Sequence, residues 1–140
     1  MEKIGIIYWS GTGNTEAMAK AIAKGAGDKA KLYTFSEITA DDAAALDGLI
    51  MGCPAMGAEV LEESEVEPFI SELEGKISGK PVALFGSYGW GDGEWMRNWQ
   101  ERMIAAGAKF FGDEGLIVNE APDDEALAKC EALGADFAKA

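Results

Sequence analysis

Apolar runs and amphipathic segments alternate along the 140 residues. Runs at 4–9, 30–35, 46–53, 81–86 and 116–118 predict five strands. The first, third and fourth are apolar at nearly every position rather than every second one, the mark of a strand covered on both faces. Between them, apolar spacing near 3.6 predicts helices over 15–24, 63–73, 95–106 and 123–139, with a weaker one at 40–45. The alternation predicts an α/β fold, a doubly wound five-stranded parallel sheet with helices on both faces, in one domain over 1–140. Ligands of such sheets sit beyond the carboxyl ends of the strands, where strand order reverses. The loops that follow the strands are therefore where chemistry is expected.

Composition narrows the classes. No window approaches the roughly 20 uninterrupted apolar residues of a membrane helix, and Met1-Glu2-Lys3 opens no secretory signal, so a soluble, cytoplasmic protein is expected. Two cysteines, Cys53 and Cys130, and no histidine leave zinc and iron–sulfur ligation without a ligand set, so any redox cofactor must be organic. Each cysteine reads as a small apolar residue rather than half of a disulfide. Twenty-five acids against 12 bases give a formal net charge of −13, which repels nucleic acid and anionic membranes. That charge either steers partners with basic docking faces or only maintains solubility.

After the first strand comes Ser10-Gly11-Thr12-Gly13-Asn14-Thr15, followed directly by a helical run. The glycines let successive N–H groups converge, and hydroxyls and an amide add donors at a helix N-terminus, which makes an anion site. A triphosphate loop would need a lysine, and the dinucleotide fingerprint a third glycine; both are missing. A cradle of dipoles without a cation suits one terminal phosphate. The competing reading is an ordinary Gly-rich turn with Thr12 or Asn14 capping the helix.

The third strand ends in Pro54-Ala55-Met56-Gly57-Ala58-Glu59 and the fourth in Ser87-Tyr88-Gly89-Trp90-Gly91. A tryptophan among glycines at a loop tip is explained if a flat aromatic ligand covers it, and Met56 offers a polarizable thioether for the other face. Glu59 could accept a hydrogen bond from a ring N–H. The competing readings are a tryptophan folded back onto the protein and a methionine filling core.

These three loops resemble those of the short-chain, clostridial or Megasphaera-type flavodoxins, over nearly the whole chain. The family signature around an FMN phosphate appears as Ser10 to Thr15, and the two further loops as Ala55 to Glu59 and Gly86 to Gly93. The resemblance implies sheet order 2-1-3-4-5, non-covalent FMN flanked by Met56 and Trp90, and Glu59 on the ring N3–H. It also implies a monomeric, low-potential one-electron carrier, passing through oxidised, semiquinone and hydroquinone states, that serves redox enzymes with basic docking faces. The stretch 109–118 is too short for the insertion of long-chain members. Pro54 and Ala58 depart from the commonest pattern, and Pro54 removes a hydroxyl from the phosphate or ribityl contacts.

In that family the carbonyl at Gly57 turns toward the ring when a proton arrives there, and Ala58 is expected to disfavour the alternative turn that needs φ > 0 at its own position. Acids at Glu62, Glu63, Glu65, Asp92 and Glu120 are expected to rim the exposed cofactor edge. An FMN-dependent NAD(P)H reductase is the alternative, but it needs an open ring face that Met56 and Trp90 would cover. A response-regulator receiver needs acids where Ser10-Gly11 and Cys53-Pro54 stand.

Overall fold

A computed structural model describes residues 1–140. Its elements are β1 (Ile4–Tyr8), α1 (Asn14–Ala26), a 3₁₀ turn (Gly27–Lys29), β2 (Ala30–Thr34), α2 (Ala40–Ala44), β3 (Gly48–Gly52) and α3 (Val66–Leu73). They continue with β4 (Pro81–Tyr88), α4 (Glu94–Ala105), β5 (Lys109–Phe110), β6 (Leu116–Asn119) and α5 (Asp124–Lys139). The sheet runs β2-β1-β3-β4-β5, all parallel, with β6 pairing the far half of β4. The order expected from the resemblance is therefore present, with one strand more.

The expected fifth strand is two pieces along one edge. Pro81 and Val82 pair with Lys109 and Phe110, and Phe85 to Tyr88 pair with Leu116 to Asn119. The intervening Gly112-Asp113-Glu114-Gly115 is poor strand material, and Gly112 takes φ 84. Pairing with β6 also carries β4 two residues past its expected end, so Ser87 and Tyr88 lie on a strand rather than in a loop.

Period-2 alternation sends the strands' side chains to two separate cores. Ile7, Leu49, Met51, Val82 and Leu84 pack with α2, α3 and α4. Ile4, Ile6, Ile50, Ala83 and Phe85 pack with α1 and α5. Nearly all of β1, β3 and β4 is thus buried on both faces, as their unbroken apolar runs require.

Helix α3 starts at Val66, three residues later than the periodicity predicts. The Glu62 carboxylate accepts N–H groups from Ser64 at 2.9 Å, Glu65 at 2.7 Å and Val66 at 3.1 Å, so the chain turns around that side chain before the helix begins.

Helices α1 and α5 meet through a reciprocal notch. A Cβ added at Gly25 would lie 1.9 Å from the Glu131 carbonyl oxygen, and one added at Gly134 would lie 2.0 Å from that of Ile22. Both neighbours are backbone and cannot swing aside. Gly134→Ala is therefore expected to lower unfolding free energy by about 1–3 kcal/mol despite the better helix propensity of alanine, read as a fall in the urea midpoint.

Candidate functional site

The carboxyl ends of β1, β3 and β4 bring the three predicted loops to one edge of the sheet. Between them lies a cavity of about 290 Å³ lined by Gly11, Thr12 and Asn14 from the first loop, Pro54, Ala55 and Met56 from the second, and Ser87, Tyr88 and Gly89 from the third. Trp9 and Glu120 complete its wall. A second cavity of about 400 Å³ adjoins it, shares Trp9 and Gly11, and includes Ser10 and Gly13. Neither is lined by a lysine or arginine.

Local chemistry holds the first loop open. The Ser10 hydroxyl oxygen accepts the N–H of Gly13 at 3.1 Å and of Glu16 at 3.3 Å, so Ser10, rather than Thr12 or Asn14, closes the turn onto the start of α1. Gly13 takes φ 96 at the helix N-cap, a conformation that glycine adopts without penalty. As a result the N–H groups of Ser10, Gly11, Thr12, Asn14 and Thr15 have no backbone or side-chain acceptor. Five backbone donors at a helix N-terminus are thus left without a protein partner, the arrangement that an anion cradle requires. Thr15 and Ser87, both buried, bond each other at 3.0 Å, which ties the cradle to β4.

The second loop is bound to β4 and then folds back on itself. Cys53 N–H donates to Phe85 O at 3.2 Å and Ala55 N–H to Ser87 O at 3.0 Å. The Cys53 carbonyl sits 2.2 Å from where a Cβ of Gly86 would be, and accepts the Trp95 indole N–H at 3.0 Å. Met56 and Val60 exchange backbone hydrogen bonds at 3.0 and 3.1 Å, closing a turn in which Gly57 has φ 40 and Glu59 φ 59. Ala58 stays out of the left-handed region, as its Cβ favours. Both Gly57 and Ala58 are exposed.

Glu59 joins the second loop to the third. Its Oε2 accepts the Trp95 N–H at the start of α4 at 2.9 Å, while Oε1 is buried with no partner. Gly91, at φ 91, lies so close that a Cβ there would be 1.6 Å from that oxygen. In the third loop the N–H groups of Gly89, Trp90 and Gly91 likewise have no protein acceptor. Trp90 projects from the tip with 69% of its surface exposed and does not line the cavity wall.

Two lining residues extend the predicted set. Trp9 reads in the sequence only as the end of an apolar run; its ring packs over Gly11, where an added Cβ would touch it at 3.2 Å. An aromatic placed directly before a Gly-rich loop is the signal that could have marked it. Glu120, expected only as a rim acid, turns into the site with φ 57, its N–H on Tyr88 O, while the Asn119 amide donates to the Tyr88 and Gly89 carbonyls. Glu62 differs from expectation: it is 7% exposed and caps α3 instead of rimming the site.

Burial alone would raise the Glu62 pKa, but the Ser64 hydroxyl and three backbone N–H groups outweigh it and hold the carboxyl at about 2, against an ordinary 4.5. A folded-state value below the unfolded one means stability present above about pH 4.5 and lost as pH falls toward 2. Glu62→Gln should cost roughly 2 kcal/mol at pH 7, and its deficit against the parent chain should shrink below pH 4.5, measured by urea unfolding across that range.

Comparison with known proteins bears on what this site belongs to. The sequence profile of the family described as Flavodoxin matches residues 6–134. The flavodoxin of Megasphaera elsdenii is 51% identical over 138 residues, covering 96% of this chain and 98% of the relative. That of Clostridium beijerinckii is 54% identical over 136 residues, with 95% and 97% covered. The solution structure of two-electron reduced Megasphaera elsdenii flavodoxin superposes with a TM-score of 0.88 at 49% identity, covering 98% and 99% of the two chains. A flavodoxin from the domain Archaea reaches the same TM-score at 29% identity.

Proposed function

The chain belongs to the flavodoxin family, whose members carry electrons on FMN, and from that premise we propose that it shuttles single electrons at low potential between enzymes with basic docking faces. The single observation that carries the placement of FMN is the cradle of five backbone N–H groups without an acceptor beside a cavity walled by Trp9, Met56 and Tyr88. Relatives named flavodoxin support the carrier over an NAD(P)H reductase.

The residues fit the group. Phosphate would be held by Ser10, Gly11, Thr12, Gly13, Asn14 and Thr15; all but Gly13, whose N–H is spent on the Ser10 hydroxyl, offer free backbone donors that stand in for the cation both cavities lack. Met56 and the exposed indole of Trp90 would take the two ring faces. Pro54, Ala55, Ser87, Tyr88 and Gly89 shape the wall between phosphate and ring. The free N–H groups of Gly89, Trp90 and Gly91 suit the carbonyl-rich edge of the ring, and the unpartnered Oε1 of Glu59 suits its N–H. FMN, when bound, supplies two successive one-electron steps; the protein sets their spacing.

Two features of the chain set that spacing. Gly57 is free to reorient its carbonyl, while Ala58 resists φ > 0 and keeps the turn in one of its two forms. The Glu59 and Glu120 carboxylates, within an overall charge of −13, raise the cost of placing further negative charge in the site. At the surface, exposed Glu63, Glu65, Asp92 and Glu120 steer a basic partner toward the Trp90 edge. The buried, unpaired thiols of Cys53 and Cys130 support a cytoplasmic setting, and no helix is long and apolar enough to cross a membrane.

Anaerobic reductive titration of the FMN-loaded chain tests this reading. A long-wavelength absorbance that rises midway and then vanishes is expected; direct bleaching would overturn the one-electron assignment. Ala58→Gly should lower the potential of the first step by about 40 mV, the equivalent of about 1 kcal/mol, in the same titration.

A further inference from the structure

The start of α4 meets the second loop twice, and both contacts come from one residue. Gly93, at the N-cap, has no side chain to offer the orphan N–H groups of the first turn. The Glu59 carboxylate serves instead, accepting the Trp95 backbone N–H at 2.9 Å. The Trp95 indole is 1% exposed and donates its own N–H to the Cys53 carbonyl at 3.0 Å. Gly86 makes room for that junction, since a Cβ there would lie 2.2 Å from the Cys53 oxygen and 3.1 Å from the indole ring. The same ring packs against that of Tyr88, with centroids 5.8 Å apart, and Tyr88 lines the crevice.

We propose that Trp95 is a positioning residue for the FMN crevice, a staple that holds both ends of the second loop and confines its freedom to Gly57 and Ala58. This rests on FMN occupying the crevice. Cys53 and Glu59, the two residues that Trp95 bonds, bracket the loop that carries Met56. Between them Ala55 is tied to Ser87 and Met56 to Val60, while Gly57 and Ala58 make no backbone hydrogen bond and are exposed. With its ends fixed in advance, the loop has only that short turn left to order when FMN binds, which lowers the cost of binding. Trp99, one helical turn further along α4, supplies the contrast: the same side chain, equally buried, whose indole N–H has no protein partner. The two tryptophans share a packing role and differ in the staple.

FMN affinities of Trp95→Phe and Trp99→Phe, with indole N–H exchange rates in the unaltered chain, test this. Trp95→Phe deletes the indole donor and keeps the backbone N–H on Glu59; it should weaken FMN binding about 3- to 10-fold, and Trp99→Phe less than about twofold. Coupling between two binding events is reciprocal, so bound FMN must also strengthen the bond from Trp95 to Cys53. In the unaltered chain FMN should therefore slow solvent exchange of Trp95 Nε1–H about 3- to 10-fold more than that of Trp99 Nε1–H. That measurement needs no substitution and remains decisive if Trp95→Phe does not fold. Equal losses of FMN affinity in the two variants, or two indoles slowed alike, overturn the staple and leave Trp95 a core side chain. Failure of the unaltered chain to bind FMN overturns instead the reading on which it rests.

Discussion

A parallel sheet buried on both faces can meet a polar ligand only at its ends, and everything functional in this chain follows from that constraint. Strands β1, β3 and β4 leave no polar face. Because α1 returns over one face and α2 and α3 over the other, the loops leaving adjacent β1 and β3 diverge, and a crevice opens between them. The loop from β4 closes its far side. Hydrogen bonds across the strand ends, from Ala55 to Ser87 O and between Thr15 and Ser87, fix the loops to one another.

The second constraint is electrical. In a chain of charge −13 the free donors around the crevice are backbone dipoles, and several nearby carboxylates are satisfied by partners of their own. Glu62 lies buried under hydrogen bonds at the start of α3, Glu67 pairs with Arg102, and Glu16 accepts the Tyr8 hydroxyl at 3.1 Å. Glu120, which lines the first cavity from left-handed backbone, and Glu65, which lines the second, are the acids at the site whose side chains have no such partner. Strain and unspent acceptors thus coincide where a ligand would meet them.

Much of this was legible in the sequence. Buried strands announce themselves as unbroken apolar runs, and the cradle as glycines among donors before a helix. What periodicity could not convey were features that arise between segments. The split of β5 from β6 depends on where β4 offers pairing partners, and the late start of α3 depends on a carboxylate that looks, in one dimension, like one more surface acid. Trp9 was hidden because an aromatic at a strand end reads as core until the glycine beneath it is seen. The orientation of Glu59 toward α4 was equally beyond reach, since it depends on the close approach of Gly91.

The notch between Gly25 and Gly134 has a mechanical consequence. Each glycine receives the other helix's carbonyl, so α1 cannot slide along its axis without driving backbone into backbone. The far end of that same rod carries the anion cradle. Helix α5, which touches neither cavity, thereby acts as an axial stop: it sets how far the N-terminal end of the α1 dipole protrudes into the crevice, some 12 residues away along the rod.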